Sequence, residues 1–295
     1  MTIKELIDYG IETVSASFPQ REAREMVLLY LEDCHGIRKL THLLEPSLEI
    51  TEAVVCEAAD AFERMASGEP LQYIIGKAHF YGREFKVGPA VLIPRPETEI
   101  LCRSVIEWFR TAYEGDDPPR ILDLCTGSGC IAWTLALEVP GAEVTAVDIS
   151  DGALELAASQ DFRQEMERKG AKAPRFVKAD VLEGPFHDSC KYDIIVSNPP
   201  YVMDSEKALM RSNVLDHEPH LALFVPDDDP LLFYRAIGKW SDALLRPGGM
   251  GIVEINEALG PQTADIFSSG EYSSVDLLED LSDRPRFVRF ICKFV

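Results

Sequence analysis

The chain has 295 residues, a hydrophobic content of 46% and a formal net charge of −21. That length allows two domains, and that charge argues against a protein that grips duplex DNA mainly through its phosphates. The seven cysteines form no C-x-x-C pair, and "MTIKELIDYG" carries no secretory signature. No apolar run reaches the roughly 18 residues of a membrane span. The expectation is a cytoplasmic protein with reduced thiols, no metal site and no membrane contact.

Residues 1–75 read as a helical domain. Thr2 with Glu5 three positions on has the spacing of a capping box. Ala23, Met26, Val27 and Tyr30 share one face of the next helix, and "TEAVVCEAADAFERMASG" runs helically to a terminating Gly68. The stretch holds fourteen Asp or Glu against six Lys or Arg, so a solvated bundle is its plainest reading. Its place beside a catalytic domain is what leaves substrate docking as its expected role.

Over residues 76–95, Gly and Pro punctuate the short β-rich runs "AHFYG", "EFKV" and "AVLI", which predicts a β-hairpin segment joining two domains. The remainder, 96–295, opens with a helix at 97–112 and the charged stretch "EGDDPP". From Arg120 the pattern alternates. Strand "RILDL", helix "CIAWTLALEV", strand "AEVTAVDI" and helix "DGALELAASQDFRQEMERKG" precede strands "RFVKAD" and "YDIIVS". Helix "PLLFYRAIGKWSDALL", turn "RPGG", strand "MGIVEIN", a last helix and two β-rich runs complete the chain. Such alternation predicts an α/β, Rossmann-like fold: an open, mainly parallel sheet with helices on both faces.

"DLCTGSGCIA" sets Gly127-x-Gly129-x-x-Ala132 between a strand and a helix, and Asp148 ends the next strand nineteen residues after Gly129. This is the arrangement of a nucleotide-type cofactor loop followed by a carboxylate for ribose hydroxyls. Both NAD and S-adenosylmethionine suit it. Asp123, four residues before Gly127, decides between them. A carboxylate there repels a pyrophosphate and attracts the ammonium and sulfonium of S-adenosylmethionine. A turn-capping carboxylate is the plainer alternative for Asp123.

The strand "DIIVS" ends in Asn198-Pro199-Pro200-Tyr201. A turn is the bland explanation. In an open α/β sheet, however, ligands sit at the carboxyl ends of strands, where the glycine loop also lies. An Asn side-chain oxygen and a Pro carbonyl can together accept both N–H bonds of a planar NH2 group, while an aromatic ring covers its plane. Asn198, Pro199, Pro200 and Tyr201 are therefore the candidate catalytic residues.

The segments "VLIPRPETE", "DLCTGSGCIA", "VDIS", "VSNPPYV", "HEPHLAL", "FYRAI" and "LRPGG" with "VEI" occur in the order and spacing of the release factor glutamine methyltransferases, the PrmC/HemK family. The resemblance runs from about Gly68 to the carboxyl terminus, and the helical N-terminal domain agrees in size and position. N-P-P-Y alone is shared with adenine-specific DNA methyltransferases, whereas "PRPETE" makes the match specific. The resemblance implies a seven-stranded fold and S-adenosylmethionine as methyl donor, with S-adenosylhomocysteine as product. It implies the glutamine of the Gly-Gly-Gln motif in class I peptide-chain release factors as acceptor. By position, Cys125, Thr126, Gly127, Ser128 and Gly129 form the donor loop, Asp148 meets the ribose, Val181 lines the adenine pocket, and the neighbouring Ile149 and Asp180 are counted with the donor site. Asn198 touches both ligands. Cys125 stands where the family usually has Gly, and "FVPDDDPLLFY" departs from a glycine-containing stretch.

Among smaller signals, His217 and His220 flank Pro219 with no further ligand cluster, which disfavours a metal. The resemblance favours a lid role for Arg95 and Glu97 over a plain surface pair. Cys125 and Cys130 read as ordinary small side chains. The rivals are an adenine-specific nucleic-acid methyltransferase with the same clamp and a non-catalytic module that keeps the fold. A basic recognition domain would favour the first, but this chain has an acidic helical one. A monomer is expected.

Overall fold

The capping box at the amino terminus forms. The Glu5 N–H donates to Thr2 Oγ1 (3.3 Å) and the Thr2 N–H to Glu5 Oε2 (2.8 Å). It opens α1 (Ile3–Val14), which is followed by α2 (Gln20–His35), α3 (Thr41–Leu44), α4 (Glu52–Ala66) and α5 (Leu71–Ile75). These helices bury Leu6, Val27, Leu31, Phe62 and Met65 in a core of their own. Gly68, at φ +95°, follows α4 in the left-handed conformation its position suggested.

The computed structural model describes residues 1–186, 190–268 and 271–294. Two compact units divide the chain: residues 1–77 with 210–218, and residues 78–209 with 219–295. The hairpin expected as a separate linker over 76–95 thus lies almost wholly in the second unit. Residues 210–218, from the middle of the expected catalytic region, belong with the first unit.

The hairpin itself is β1 (Lys77–Phe80) and β2 (Arg83–Lys86). Tyr81 and Gly82 turn it with φ of +50° and +72°, the double positive value of the tight turn that matches strand twist. The third expected run, "AVLI", forms no strand: between Pro89 and Pro94 it has lost ladder donors at both ends. α6 (Thr98–Ala112) then leads into the alternating region.

That region supplies β3 (Arg120–Leu124), α7 (Cys130–Glu138), β4 (Glu143–Asp148), α8 (Asp151–Ala158), α9 (Arg163–Lys169), β5 (Arg175–Lys178) and β6 (Tyr192–Ser197). Short strands β7 (Val202–Met203) and β8 (Phe224–Val225) pair with each other, and α10 (Ser212–His217) lies between them in sequence. The chain continues with α11 (Leu232–Leu244), β9 (Leu245–Glu254), α12 (Gly260–Ser268), β10 (Tyr272–Glu279) and β11 (Pro285–Cys292). The seven-stranded sheet has the order β10-β11-β9-β6-β3-β4-β5. All its pairings are parallel except those of β11.

From Ile194 to Val196 alternate residues of β6 feed different cores, with Tyr192 set apart by a register shift, which is why "YDIIVS" reads as one apolar run. Ile194 and Val196 pack with α6 and α7 residues such as Leu101 and Ile131. Tyr192 and Ile195 pack with Ile237 and Trp240 of α11. Two expected elements differ in detail. The long helix over 151–170 is broken after α8, where buried Gln160 bonds the Lys86 backbone N–H (2.9 Å) and carbonyl (3.0 Å) and the Ser128 carbonyl (3.2 Å). "RPGG" is an irregularity within β9, with Gly248 at φ +76°, and not a turn before it.

Candidate active site

The chain runs outward from β3 through β4 to β5, then crosses back to lay β6 on the other side of β3. This reversal opens a crevice at the carboxyl ends of the two central strands. Leu124 and Ser197 are register partners on parallel β3 and β6, and the Ser197 hydroxyl donates to the Leu124 carbonyl (2.7 Å). The residues that follow them, Cys125 and Asn198, begin the glycine loop and N-P-P-Y. Two motifs about seventy residues apart in the chain therefore share one edge. A cavity of about 280 Å³ lies there.

Its wall includes Cys125, Thr126, Gly127, Ser128, Asp148, Ile149, Asp180, Val181, Asn198 and Pro200. Residues to which the sequence assigns no contact also line it, among them residues 90–92, Pro94, Thr98, Cys130, Ile131, Ser150, Ala153, Ala179, Leu182, Pro219, Leu221, Ala222 and Phe233. Arg95, expected in a lid, is also on the wall. Asp123, Gly129, Pro199 and Tyr201 are not among the lining residues. Asp148 ties the glycine loop to the start of α8, one oxygen to each. Its Oδ2 accepts the Gly127 N–H (2.8 Å) and its Oδ1 the Ser150 N–H (3.0 Å).

Comparison with known proteins settles the family. A family model of the PrmC N-terminal domain matches residues 5–76 and one of the methyltransferase small domain matches 106–220. A release factor glutamine methyltransferase of Bacteroides thetaiotaomicron is 40% identical over 280 residues, covering 95% of this chain and 96% of that protein. Its namesake from Bacillus subtilis is 35% identical over 288 residues, covering 97% and 96%. The chain belongs to the release factor glutamine methyltransferase family. Among solved structures, the protein-(glutamine-N5) methyltransferase (release factor-specific) of Alicyclobacillus acidocaldarius matches with a TM-score of 0.39 and 28% identity, covering 71% of this chain and 99% of that one.

Within this methyltransferase the glycine loop has one unusual member. Cys125 has φ +63°, in the left-handed region, beside Gly127 at +52° and Gly129 at +78°. Gly129 is needed for space as well, since a Cβ there would stand 3.0 Å from Ala157 Cβ. An L-residue in this conformation costs roughly 1–2 kcal/mol, so position 125 suits glycine better than cysteine. Cys125→Gly is expected to hold stability or raise it by up to about 1 kcal/mol, and Cys125→Val to lower it by about 1–2 kcal/mol. Urea unfolding of the three proteins measures both; a glycine variant weaker by more than the valine one would refute the strain. Burial pushes both thiols up, that of Cys130 to about 12, so both stay protonated near neutral pH.

Asp123 is fully buried, and its Oδ2 accepts the Thr126 hydroxyl (2.6 Å) while its Oδ1 has no hydrogen-bond partner. The sequence alone counts it among the contacts of the donor. It lies off the cavity wall and meets the glycine loop through Thr126. Burial pushes its carboxyl up to about 7, opposed by the Thr126 hydroxyl. Because the folded state holds this proton more tightly than the unfolded chain, the linked stability is full below about pH 4 and declines as pH rises through about 7. Thermal melting from pH 5 to 8 should show the ligand-free protein losing stability relative to Asp123→Asn, by an amount on the order of 2–3 kcal/mol at most. Parallel melting curves would mean that Asp123 does not titrate in this range.

Around N-P-P-Y the structure adds partners that no spacing in the sequence marks. Asn198 Nδ2 donates to Thr98 Oγ1 (3.2 Å), and the Thr98 hydroxyl donates to Glu254 Oε2 (2.7 Å). The Tyr201 hydroxyl donates to Glu254 Oε1 (3.0 Å). Asn256 Nδ2 donates to the Tyr201 carbonyl (3.2 Å) and to Glu206 Oε2 (2.9 Å). Tyr201, whose ring was expected on the acceptor, is thus anchored by its hydroxyl at Glu254. "PRPETE" and "VEI" carried Thr98 and Glu254 in the family resemblance, but without a role.

Proposed function

We infer that this protein transfers a methyl group from S-adenosylmethionine to the side-chain amide nitrogen of the glutamine in the Gly-Gly-Gln motif of peptide-chain release factors. The observation that carries the reading is the register of β3 with β6, which puts the glycine loop and Asn198 on one cavity. Its wall suits the donor. Ile149, Val181 and Leu182 supply apolar surface for a base, while Asp148 and Asp180 supply carboxylates for ribose hydroxyls and positive charge. When bound, S-adenosylmethionine supplies an electrophilic methyl group.

The residues of the chain deal with the acceptor. An amide nitrogen is a weak nucleophile because its lone pair is delocalised into the carbonyl. The Asn198 side-chain oxygen accepts one of its N–H bonds and the Pro199 carbonyl the other, which aims the nitrogen at the methyl group. Proline suits the position because it stiffens the loop and leaves its carbonyl free. No dedicated base is needed, since the amide proton becomes acidic as the nitrogen acquires the methyl group.

The first unit is assigned to docking of the release factor. On it Leu40, Leu43 and Leu44 are 62%, 65% and 78% exposed at positions i, i+3 and i+4, an apolar cluster on an acidic body. The reading includes a cytoplasmic monomer, and the net charge of −21 speaks against a grip on duplex DNA through its phosphates.

Transfer of labelled methyl to purified release factor tests the activity, beside the same factor with its motif glutamine changed and beside DNA. Label is expected only in the unchanged factor; label in DNA adenine would favour the nucleic-acid reading. Replacing Leu40, Leu43 and Leu44 together by Ser should raise KM for the whole factor roughly tenfold and leave a short Gly-Gly-Gln peptide unaffected. An unchanged KM would remove docking from this patch.

A further inference from the structure

Asn198 assists transfer only if its oxygen, and not its NH2, faces the acceptor. Nothing in the residue itself decides this, because the two ends of a side-chain amide are almost equal in size. The decision has to come from what stands behind it. There the Thr98 hydroxyl is 3.2 Å from Asn198 Nδ2 and 2.7 Å from Glu254 Oε2.

A hydroxyl has a single proton. An ionised Glu254 can only accept, so the Thr98 proton is committed to it. Toward Asn198 the Thr98 oxygen then presents lone pairs alone. Those attract the NH2 end of the amide and repel the carbonyl end, which turns Oδ1 the other way. The polarity of the chain therefore starts at Glu254 and ends at Asn198. The chain is shielded from bulk solvent at this end, for Thr98 and Glu254 are 2% and 1% exposed. The second Glu254 oxygen is occupied by the Tyr201 hydroxyl at 3.0 Å, so the carboxylate grips both ends of the N-P-P-Y segment. Burial and the Glu97 charge push the Glu254 carboxyl up from its ordinary value, against the Thr98 and Tyr201 hydroxyls and the Arg286 charge. All three opposing groups favour the acceptor form.

We propose that Glu254 is a positioning residue for methyl transfer, setting the orientation of the Asn198 amide through the Thr98 hydroxyl so that Oδ1 faces the acceptor glutamine. The proposal rests on the reading of Asn198 as the partner of the acceptor N–H. Glu254 itself touches no reacting atom. Its substitution by Gln is informative because the new NH2 group can donate to Thr98. The Thr98 proton is then released toward Asn198, which favours the reversed amide.

Single-turnover methylation of a Gly-Gly-Gln peptide at saturating donor is the test, with donor affinity and melting temperature measured alongside. Glu254→Gln and Thr98→Val should each lower the rate 10- to 100-fold while donor affinity stays within about threefold. Thr98→Ser, which keeps the hydroxyl, should recover most of the rate lost in Thr98→Val. In an Asn198→Ala background, Thr98→Val should slow transfer no further, because the group it orients is gone. Full additivity there, or a fall in melting temperature and donor affinity that matches the fall in rate, would reduce Glu254 and Thr98 to structural support. Should Thr98→Val fail to fold, Glu254→Gln with Thr98→Ser decides alone, and a Glu254→Gln rate equal to wild type overturns the proposal. Normal turnover by Asn198→Ala alone would instead remove the reading beneath it. A slow Asn198→Ala beside a fast Thr98→Val would remove only the relay.

Discussion

Asn198→Ala is expected to slow methyl transfer at saturating donor by a hundredfold or more, with donor affinity changed by less than about threefold. The side chain stands on the cavity wall at the end of β6, backed by Thr98. Losing it removes one of two acceptors that aim a delocalised lone pair, and aiming a weak nucleophile contributes several kcal/mol to barrier lowering. The donor keeps Asp148 and the glycine loop, so its binding is largely spared. Asn198→Asp keeps an acceptor oxygen but adds a charge near the donor's sulfonium, and partial activity is the expected result. Single-turnover kinetics separates chemistry from binding. Wild-type turnover by the alanine variant would make N-P-P-Y no more than the turn its composition also permits.

The second large effect belongs to Asp148. Asp148→Ala should weaken S-adenosylmethionine binding by about 1.5–3 kcal/mol, roughly 10- to 150-fold, because ribose hydroxyls lose a charged acceptor. The structure adds a further reason. The same carboxylate accepts the Gly127 and Ser150 N–H groups, so the alanine variant also leaves those two donors without it. Asp148→Asn should fall between, since an amide oxygen can replace one of the two acceptors but its NH2 opposes the other donor. Calorimetric titration with the donor is the measurement. Affinity equal to wild type in the alanine variant would remove Asp148 from the donor site.

Much of this site is legible in the chain itself because its signals are local. A glycine loop must lie next to the strand and helix it joins, and Asp148 is tied to it by the length of one strand–helix–strand unit. Asn198 follows an apolar run whose burial on both faces is itself a sign of a central strand. Backbone conformation is local too. The left-handed φ of Cys125 was foreshadowed by its standing in a glycine position, and Tyr81-Gly82 closes a hairpin within six residues of its strands' starts.

What the chain alone left open is whatever depends on residues far apart in sequence. Thr98 and Glu254 are 156 positions apart and meet only because α6 packs against the strand that carries Glu254. Gln160 breaks a helix that composition would continue, because the Lys86 backbone offers it three-way bonding with Ser128 from 74 and 32 residues away. Asp123 is legible in the chain as a carboxylate ahead of the glycine loop, but only the packed sheet buries it off the cavity wall with the Thr126 hydroxyl as its partner. Local chemistry is written residue by residue, whereas the polarity of a buried hydrogen-bond chain exists only once every donor and acceptor along it has been brought together.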